Sequence, residues 1–348
     1  MKFIKIFFYN LLVLFFTFVF IEIIFGYWFD KDNLGPYMRE HRMKKNFYSL
    51  KYYDQTYDYV YKRNYYGFRG EEINLKNVKA VMIGGSTVDE RYKPDDFTII
   101  GYLNKKLSNE NIKLEIINAG IEGQSTLGHI YNFEVWFPKL KEFNPQYFIF
   151  YIGINDHIVS KITDKSFDGH VLNPSKSQRL KDNIKSRSIF YDLLRKTKHK
   201  YYNKGEKLVY DFNSALKKNE KLEKFNFLKY QDAIKLYDIK KIKDDNKSLI
   251  KNYLLNIDKL EGYAKRLNAK AIFINQLTDN GSYNKKLFIL NHSLIKHCKE
   301  KKFNCIDLAK KLDGKKEYWW DGIHTTPAGS KKIADLIYPE LKNFLKKN

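Results

Sequence analysis

Four stretches of this chain carry the residue types that move an acyl group. They are Ile83-Gly84-Gly85-Ser86-Thr87, the run Asn118-Ala119-Gly120-Ile121-Glu122-Gly123-Gln124-Ser125-Thr126, Gly153-Ile154-Asn155-Asp156 and Asp321-Gly322-Ile323-His324. Taking a carbonyl through a tetrahedral intermediate requires an activated nucleophile, a base held in the right tautomer and donors aimed at the developing oxyanion. Ser86 is the candidate nucleophile, because the glycines before it let the backbone turn sharply and let other segments approach. Singly, each stretch has a plainer reading as a turn, a helix cap or a solvated loop. Their order along the chain and their placement at strand ends set them apart as a group.

The elements that must position these residues are short β-branched or aromatic runs alternating with helical stretches. That pattern predicts a parallel sheet covered by helices on both faces. Strands are expected at 79–83, 114–118, 147–152 and 271–275, with a shorter fifth at 304–307. In an open parallel sheet the site lies beyond the carboxyl ends of the strands, where the chemistry-bearing stretches fall. Helices are expected to start near Pro94, to follow Thr126 as N-cap, to occupy 249–267 and to run from Pro327, at N1, to about Leu345.

Residues 7–29 read FFYNLLVLFFTFVFIEIIFGYWF, long enough to span a bilayer. Lys2 and Lys5 precede the run, so the positive-inside rule keeps the N-terminus cytoplasmic and sends the rest across. No small-x-small site ends the run, which favours an uncleaved anchor over a cleaved signal peptide. Glu22 reads as a side chain snorkelling to the far interface. The expected organisation is an anchor at 1–29, a stalk and packing arm at 30–76, and a main domain at 77–348. A charged helical insertion is expected at about 160–247. The main domain is then extracytoplasmic, and periplasmic if the cell is Gram-negative.

The 63 Lys and Arg against 40 Asp and Glu give a net charge of +23, but the excess is scattered Lys without a nucleic-acid motif, so no nucleic-acid partner is expected. Cys298 and Cys305 lack zinc or dithiol spacing; as core thiols or as a disulfide they remain open, with the seven-residue separation weighing against a bond. His129, His292 and His297 show no ligand spacing, and neither metal nor cofactor is implied. Asp156 and His157 adjoin Asn155 as supporting residues. Trp319 and Trp320 are expected to pack beneath the Asp321 loop, with a sugar-facing Trp as the alternative.

Ser86, Gly123, Asn155 and His324, in that order, resemble the four markers of the SGNH (GDSL-type) hydrolase superfamily over roughly 79–345. The lead-in Arg63-Asn64-Tyr65-Tyr66-Gly67-Phe68-Arg69-Gly70 is similar to that of its membrane-anchored bacterial branch. Gly85 departs from the commonest motif, which has Asp there. The resemblance implies a three-layer α/β/α sandwich on a five-stranded parallel, flavodoxin-like sheet. It also implies a Ser86–His324–Asp321 triad, with oxyanion donors from the Ser86 and Gly123 amides and the Asn155 side chain. The expected function is a serine esterase acting on a small ester, an O-acyl or O-acetyl group of cell-envelope carbohydrate. The alternatives are an O-acyltransferase with the same triad or an inactive scaffold of an envelope-polymer assembly.

Overall fold

The computed structural model describes residues 2–29, 34, 38, 41–42, 44–52, 54–158, 175–202, 208–214 and 225–346. They fall into two units, one drawn from 1–40 and 173–206, the other from 41–172 and 207–348. Strands are β1 (Lys45–Tyr52), β2 (Gln55–Lys62), β3 (Ala80–Gly84), β4 (Ile116–Asn118), β5 (Tyr147–Ile152), β6 (Leu208–Asp211), β7 (Lys270–Asn275) and β8 (Asn304–Ile306). The helices used below are, in chain order, α1 (Lys2–Phe25), α2 (Ser86–Asp89), α3 (Ile99–Asn109), α4 (Thr126–Tyr131), α5 (Ile154–Ile158) and α6 (Lys176–Arg187). They continue with α7 (Ile189–Tyr202), α8 (Lys247–Arg266), α9 (Lys285–Lys301) and α10 (Pro327–Lys346).

In the larger unit five strands form one parallel sheet in the order β4-β3-β5-β7-β8, the flavodoxin-like arrangement. A central strand covered on both faces must be apolar throughout, and β5, Tyr-Phe-Ile-Phe-Tyr-Ile, is buried at every position. Its alternate residues serve different layers. Tyr147, Ile149 and Tyr151 pack with Ile99, Leu103 and Leu107 of α3 and Ile333, Ile337 and Leu341 of α10. Phe148 and Phe150 face the other way, into ring contacts with Phe133, Phe137 and Phe273. Fully burying one such side chain is worth roughly 1.5–3 kcal/mol, so both layers hold the strand ends firmly. Strand order reverses between β3 and β5, and the tips of these two strands carry Ser86 and Asn155.

Several expected boundaries move. The helix expected near Pro94 begins at Ile99: Asp95–Phe97 is a 3₁₀ turn, and Thr98 Oγ1 caps α3 by accepting from the Gly101 amide at 2.9 Å. Thr126 is not a cap but the first residue of α4, with Ser125 before it. Within 30–76, β1 and β2 form an antiparallel hairpin that β6 extends as a parallel neighbour of β1. Of that stretch 30–33, 35–37, 39–40, 43 and 53 lie outside the described residues, as do 159–174, 203–207 and 215–224 of the expected insertion. The remainder of the insertion divides: α6 and α7 belong to the smaller unit, while Tyr230, Ala233 and Ile242 are buried in the larger one.

The two cysteines are joined. After α9 the chain reverses through Lys302 in the left-handed region, the Phe303 amide donating to the Cys298 carbonyl at 2.9 Å. This tight return brings the Cys298 and Cys305 Cα atoms to 6.3 Å, within disulfide reach despite the short separation.

Candidate active site

Ser86 opens α2 directly after β3, and the reversal is possible because Gly85 has no side chain. A Cβ there would stand 2.4 Å from Asn155 Nδ2 and 3.0 Å from the Gln124 carbonyl oxygen. The same absence brings Asn155, the second residue of α5 beyond β5, against the turn that presents Ser86. Asn155 Nδ2 donates to the Gln124 carbonyl at 2.8 Å, tying the third predicted stretch to the second. Gly123 adopts φ +80° with open space on its Cβ side, so its requirement is conformational rather than steric. The Gln124 side chain is fixed from below by reciprocal amide bonds with Asn132 (2.9 and 3.0 Å) and by His129 Nδ1 at 3.2 Å from its Oε1. Burial pushes the His129 imidazole down to about 3, so it stays neutral.

The loop before α10 supplies the other half. His324 Nε2 lies 2.8 Å from Ser86 Oγ, and His324 Nδ1 lies 2.6 Å from Asp321 Oδ2. The second carboxylate oxygen of Asp321 accepts from the Ile323 and His324 amides at 2.7 and 2.6 Å. Burial opposes ionisation of Asp321, but its bond and charge contact with His324 and these two amides hold it below the ordinary carboxylate range. Asp321 therefore remains an acceptor through neutral and mildly acid pH. A hydroxyl, an imidazole and a carboxylate in this sequence can pass the Ser86 proton to Nε2 while the cation is stabilised at Nδ1.

Trp319 is buried, as expected of both tryptophans, but Trp320 is only half-buried and stacks on the His324 ring at 5.5 Å. Around it stand Tyr92, Tyr210 and Phe212 in edge-to-face contact, the last two brought by β6 and the residue after it. On the other side of the loop, Gly322 and Ile323 border a cavity of about 530 Å³ whose wall includes His157, Asn280, Tyr283 and Asn284. Asp156 and His157 take no part in the hydroxyl–imidazole–carboxylate chain. Asp156 Oδ1 accepts from the Thr126 amide (3.1 Å) and hydroxyl (2.5 Å), fixing the start of α4; His157 Nε2 meets Asn284 Nδ2 at 2.8 Å.

What residue reasoning did not find is the set of buried charges behind Ser86. Arg63 pairs with Asp89 of α2 at 2.7 Å, both almost wholly buried, and donates to the Gly120 carbonyl at 2.8 Å. Arg69 bonds the Asp89 and Lys93 carbonyls and pairs with Asp95 at 2.7 Å. Burial works against the Asp89 anion, yet Arg63, Arg69 and Arg91 keep its pKa below the usual value. Glu90, in the left-handed conformation that closes α2, accepts from the Ile99 amide (2.6 Å) and Ser330 Oγ (2.6 Å) and pairs with Lys93. Lys93 Nζ in turn donates to the Thr325 carbonyl, next to His324, at 2.8 Å. The available signal was the pair of arginines in the lead-in, recorded above only as a likeness.

Among the described residues no group of three or more His, Cys, Asp or Glu is placed to hold a metal ion.

The fold and the family comparison define a hydrolase of ester bonds. Residues 80–337 match the family of GDSL-like lipases and acylhydrolases, which is most of the chain, and the chain belongs to that family. Solved structures similar to it include TesA, at 12% identity with a TM-score of 0.45, covering 76% of this chain and 98% of that one. Another is the psychrotrophic esterase EstA from Pseudoalteromonas sp., at 12% identity with a TM-score of 0.44, covering 77% of this chain and 100% of that one. A third is a catalytic mutant of Axe2, an acetylxylan esterase from Geobacillus stearothermophilus, at 12% identity with a TM-score of 0.43, covering 76% and 94%. No curated protein matches the chain.

Proposed function

We propose that the chain is a serine esterase that removes a small O-acyl group, such as O-acetyl, from cell-envelope carbohydrate. In this reading Ser86 Oγ attacks the ester carbonyl carbon as its proton passes to His324 Nε2, while Asp321 stabilises the imidazolium. The oxyanion is taken up by the amides of Ser86 and Gly123 and by Asn155 Nδ2, which exchanges its bond to Gln124 for the substrate. Collapse breaks the ester C–O bond, and the departing alcohol takes the proton from His324. Water then adds to the acyl-enzyme by the same route and frees Ser86 and the carboxylic acid. The observation that carries this reading is the continuous 2.8 and 2.6 Å chain from Ser86 through His324 to Asp321.

The carbohydrate substrate is supported by the two surfaces beside that chain. A half-buried indole suits the apolar face of a sugar ring, and the neighbouring 530 Å³ cavity is lined by amide, imidazole and phenol groups that match sugar hydroxyls. The extracytoplasmic placement is supported by Lys2 and Lys5 at the start of a helix long and apolar enough to cross a membrane, and by a disulfide, which suits an oxidising compartment. The cavity also has room for an acceptor sugar, which supports O-acyl transfer as a second reading. A fluorophosphonate probe tests the nucleophile: labelling of the wild type and none of folded Ser86→Ala is expected, whereas equal labelling of both would refute it. Hydrolase and transferase are separated by giving an acyl donor with candidate glycans and measuring free acid against acyl-glycan.

A further inference from the structure

In the smaller unit, a carboxylate on the membrane-length helix holds the start of an insertion helix far along the chain. Glu22 accepts from Ser188 Oγ at 2.5 Å, from the amides of Ile189 and Phe190 at 3.2 and 3.3 Å, and from Trp28 Nε1 at 3.0 Å. The Tyr27 amide donates to the Arg187 carbonyl at 2.8 Å, Arg187 donates to the Trp28 carbonyl at 3.0 Å, and Phe190 stacks on Phe18 at 4.3 Å. Helix N-termini leave amides without intrahelical acceptors, and here an acidic residue of α1 satisfies those of α7. Glu22 is thus a structural latch, not the free snorkelling side chain expected from sequence.

We infer that α6 and α7 lie in the outer membrane–water interface and bind anionic phospholipid, beside the point where α1 leaves the bilayer. This rests on the reading of α1 as a spanning helix. Depth is the first argument: Glu22 is three residues from the end of α1, about 4.5 Å along its axis, so the latch fixes the start of α7 at the headgroup boundary. Periodicity is the second. Phe190, Leu193 and Leu194 follow i, i+3, i+4 spacing on α7, and Leu180 and Ile184 follow i, i+4 on α6. Leu180, Ile184, Leu193 and Leu194 are 63, 45, 54 and 70% exposed, a cost in water that a bilayer surface removes. Charge is the third: residues 176–202 hold nine Lys or Arg and two Asp, the composition of a helix pair on an anionic surface. Tyr27 and Trp28, next to the latch, are the aromatic types of the interfacial belt.

The test uses the full chain in phosphatidylcholine–phosphatidylglycerol vesicles, with an environment-sensitive fluorophore on Leu194→Cys and the native disulfide left intact. Quenching by a lipid spin-labelled near the headgroup, exceeding that by aqueous iodide, is the expected result, weakening in vesicles of phosphatidylcholine alone. Full iodide quenching would overturn the inference. So would protection from both quenchers, which would mean that a second copy of the chain covers this face. Undiminished lipid quenching without phosphatidylglycerol would overturn the choice of an anionic partner. The same fluorophore on Phe15→Cys reports on the anchor: quenching by a deep acyl-chain label is expected, and iodide access there would overturn the spanning reading itself. Glu22→Ala should increase iodide access at position 194 and leave position 15 unchanged; no increase would overturn the latch.

Discussion

Asp156 is a buried carboxyl whose hydrogen-bond partners among the described residues are neutral, and its replacement by Asn tests the electrostatics beneath the site. Burial raises its pKa to about 6, and the bonds from Thr126 only partly offset this. The unfolded chain returns it to the ordinary carboxyl value of 3.8, so between these two values the folded state binds more protons than the unfolded one. Stability from this group is present in acid and is lost as pH rises through about 6. The gap of about two units corresponds to a cost of about 3 kcal/mol above pH 7. Asp156→Asn removes the charge and keeps an oxygen for the Thr126 amide and hydroxyl, which Asn256 Nδ2 steadies at 3.0 Å. Part of the gain is returned because a neutral acceptor makes weaker bonds, so a net stabilisation of roughly 1–2 kcal/mol is expected at neutral pH. Urea unfolding of both proteins in detergent, followed at neutral pH and near pH 4, measures this. The advantage should vanish in acid, and an equal or lower stability of the variant at neutral pH would refute the reasoning.

Three further outcomes concern the turn that presents Ser86. Gly85→Ala forces apart Asn155 and the Gln124 carbonyl, so turnover of a small ester should fall by about 10²-fold or more while the circular dichroism spectrum stays native. Asn155→Ala should lower kcat by about 10²–10³ and change KM little, as expected of a donor used in the transition state; a rise in KM at constant kcat would contradict that role. Arg63→Ala leaves the buried Asp89 carboxylate without its nearest cation and should cost about 3–5 kcal/mol in a denaturant titration.

The sheet was legible because its strands are short, apolar and regularly spaced: 147–152 coincides with β5, and the other four expected strands shift by one or two residues at their ends. Helix starts were less legible because local signals compete: Pro94 opens a 3₁₀ turn, and the helix waits for the Thr98 cap four residues on, while Ser125 and Thr126 are adjacent hydroxyl residues that the sequence does not tell apart. β6 escaped because four residues, Leu-Val-Tyr-Asp, within a charged stretch have no periodicity to read; its partner β1 lies some 160 residues earlier. Of the five candidate site residues, Ser86 and Asn155 stood out as polar residues just beyond apolar strands, while Gly123, Asp321 and His324 lie in loops and were picked out by their order in the chain. Their catalytic roles await the experiments above, while the geometry places Ser86, His324 and Asp321 within hydrogen-bond distance of one another in sequence. Apart from the two arginines of the lead-in, the buried ions were not legible, since a charge that will be buried looks the same in sequence as one that will be solvated.

Those ions raise a question of purpose, because a buried ion pair rarely stabilises a fold more than apolar side chains of the same volume would. Glu90 and Lys93 meet inside the larger unit, and between them they touch the start of α3, the carbonyl beside His324 and Ser330 of α10. A pair chosen for stability alone would not need so many directional contacts. One chosen to fix the distance between the Ser86 turn and the His324 loop would, because apolar contacts specify volume but not register. Glu90→Gln with Lys93→Met removes both charges and keeps most of the volume. The double variant is expected to unfold at a denaturant concentration equal to or above that of the wild type, while kcat falls at least about tenfold because the Ser86–His324 contact loosens. Single Lys93→Met should instead be destabilised by about 3–5 kcal/mol, since Glu90 keeps its neutral donors Ile99 and Ser330 but is left buried without a cation. If the double variant kept full kcat, the pair would be a packing feature and the 2.8 Å contact between Ser86 and His324 would owe its precision to something else.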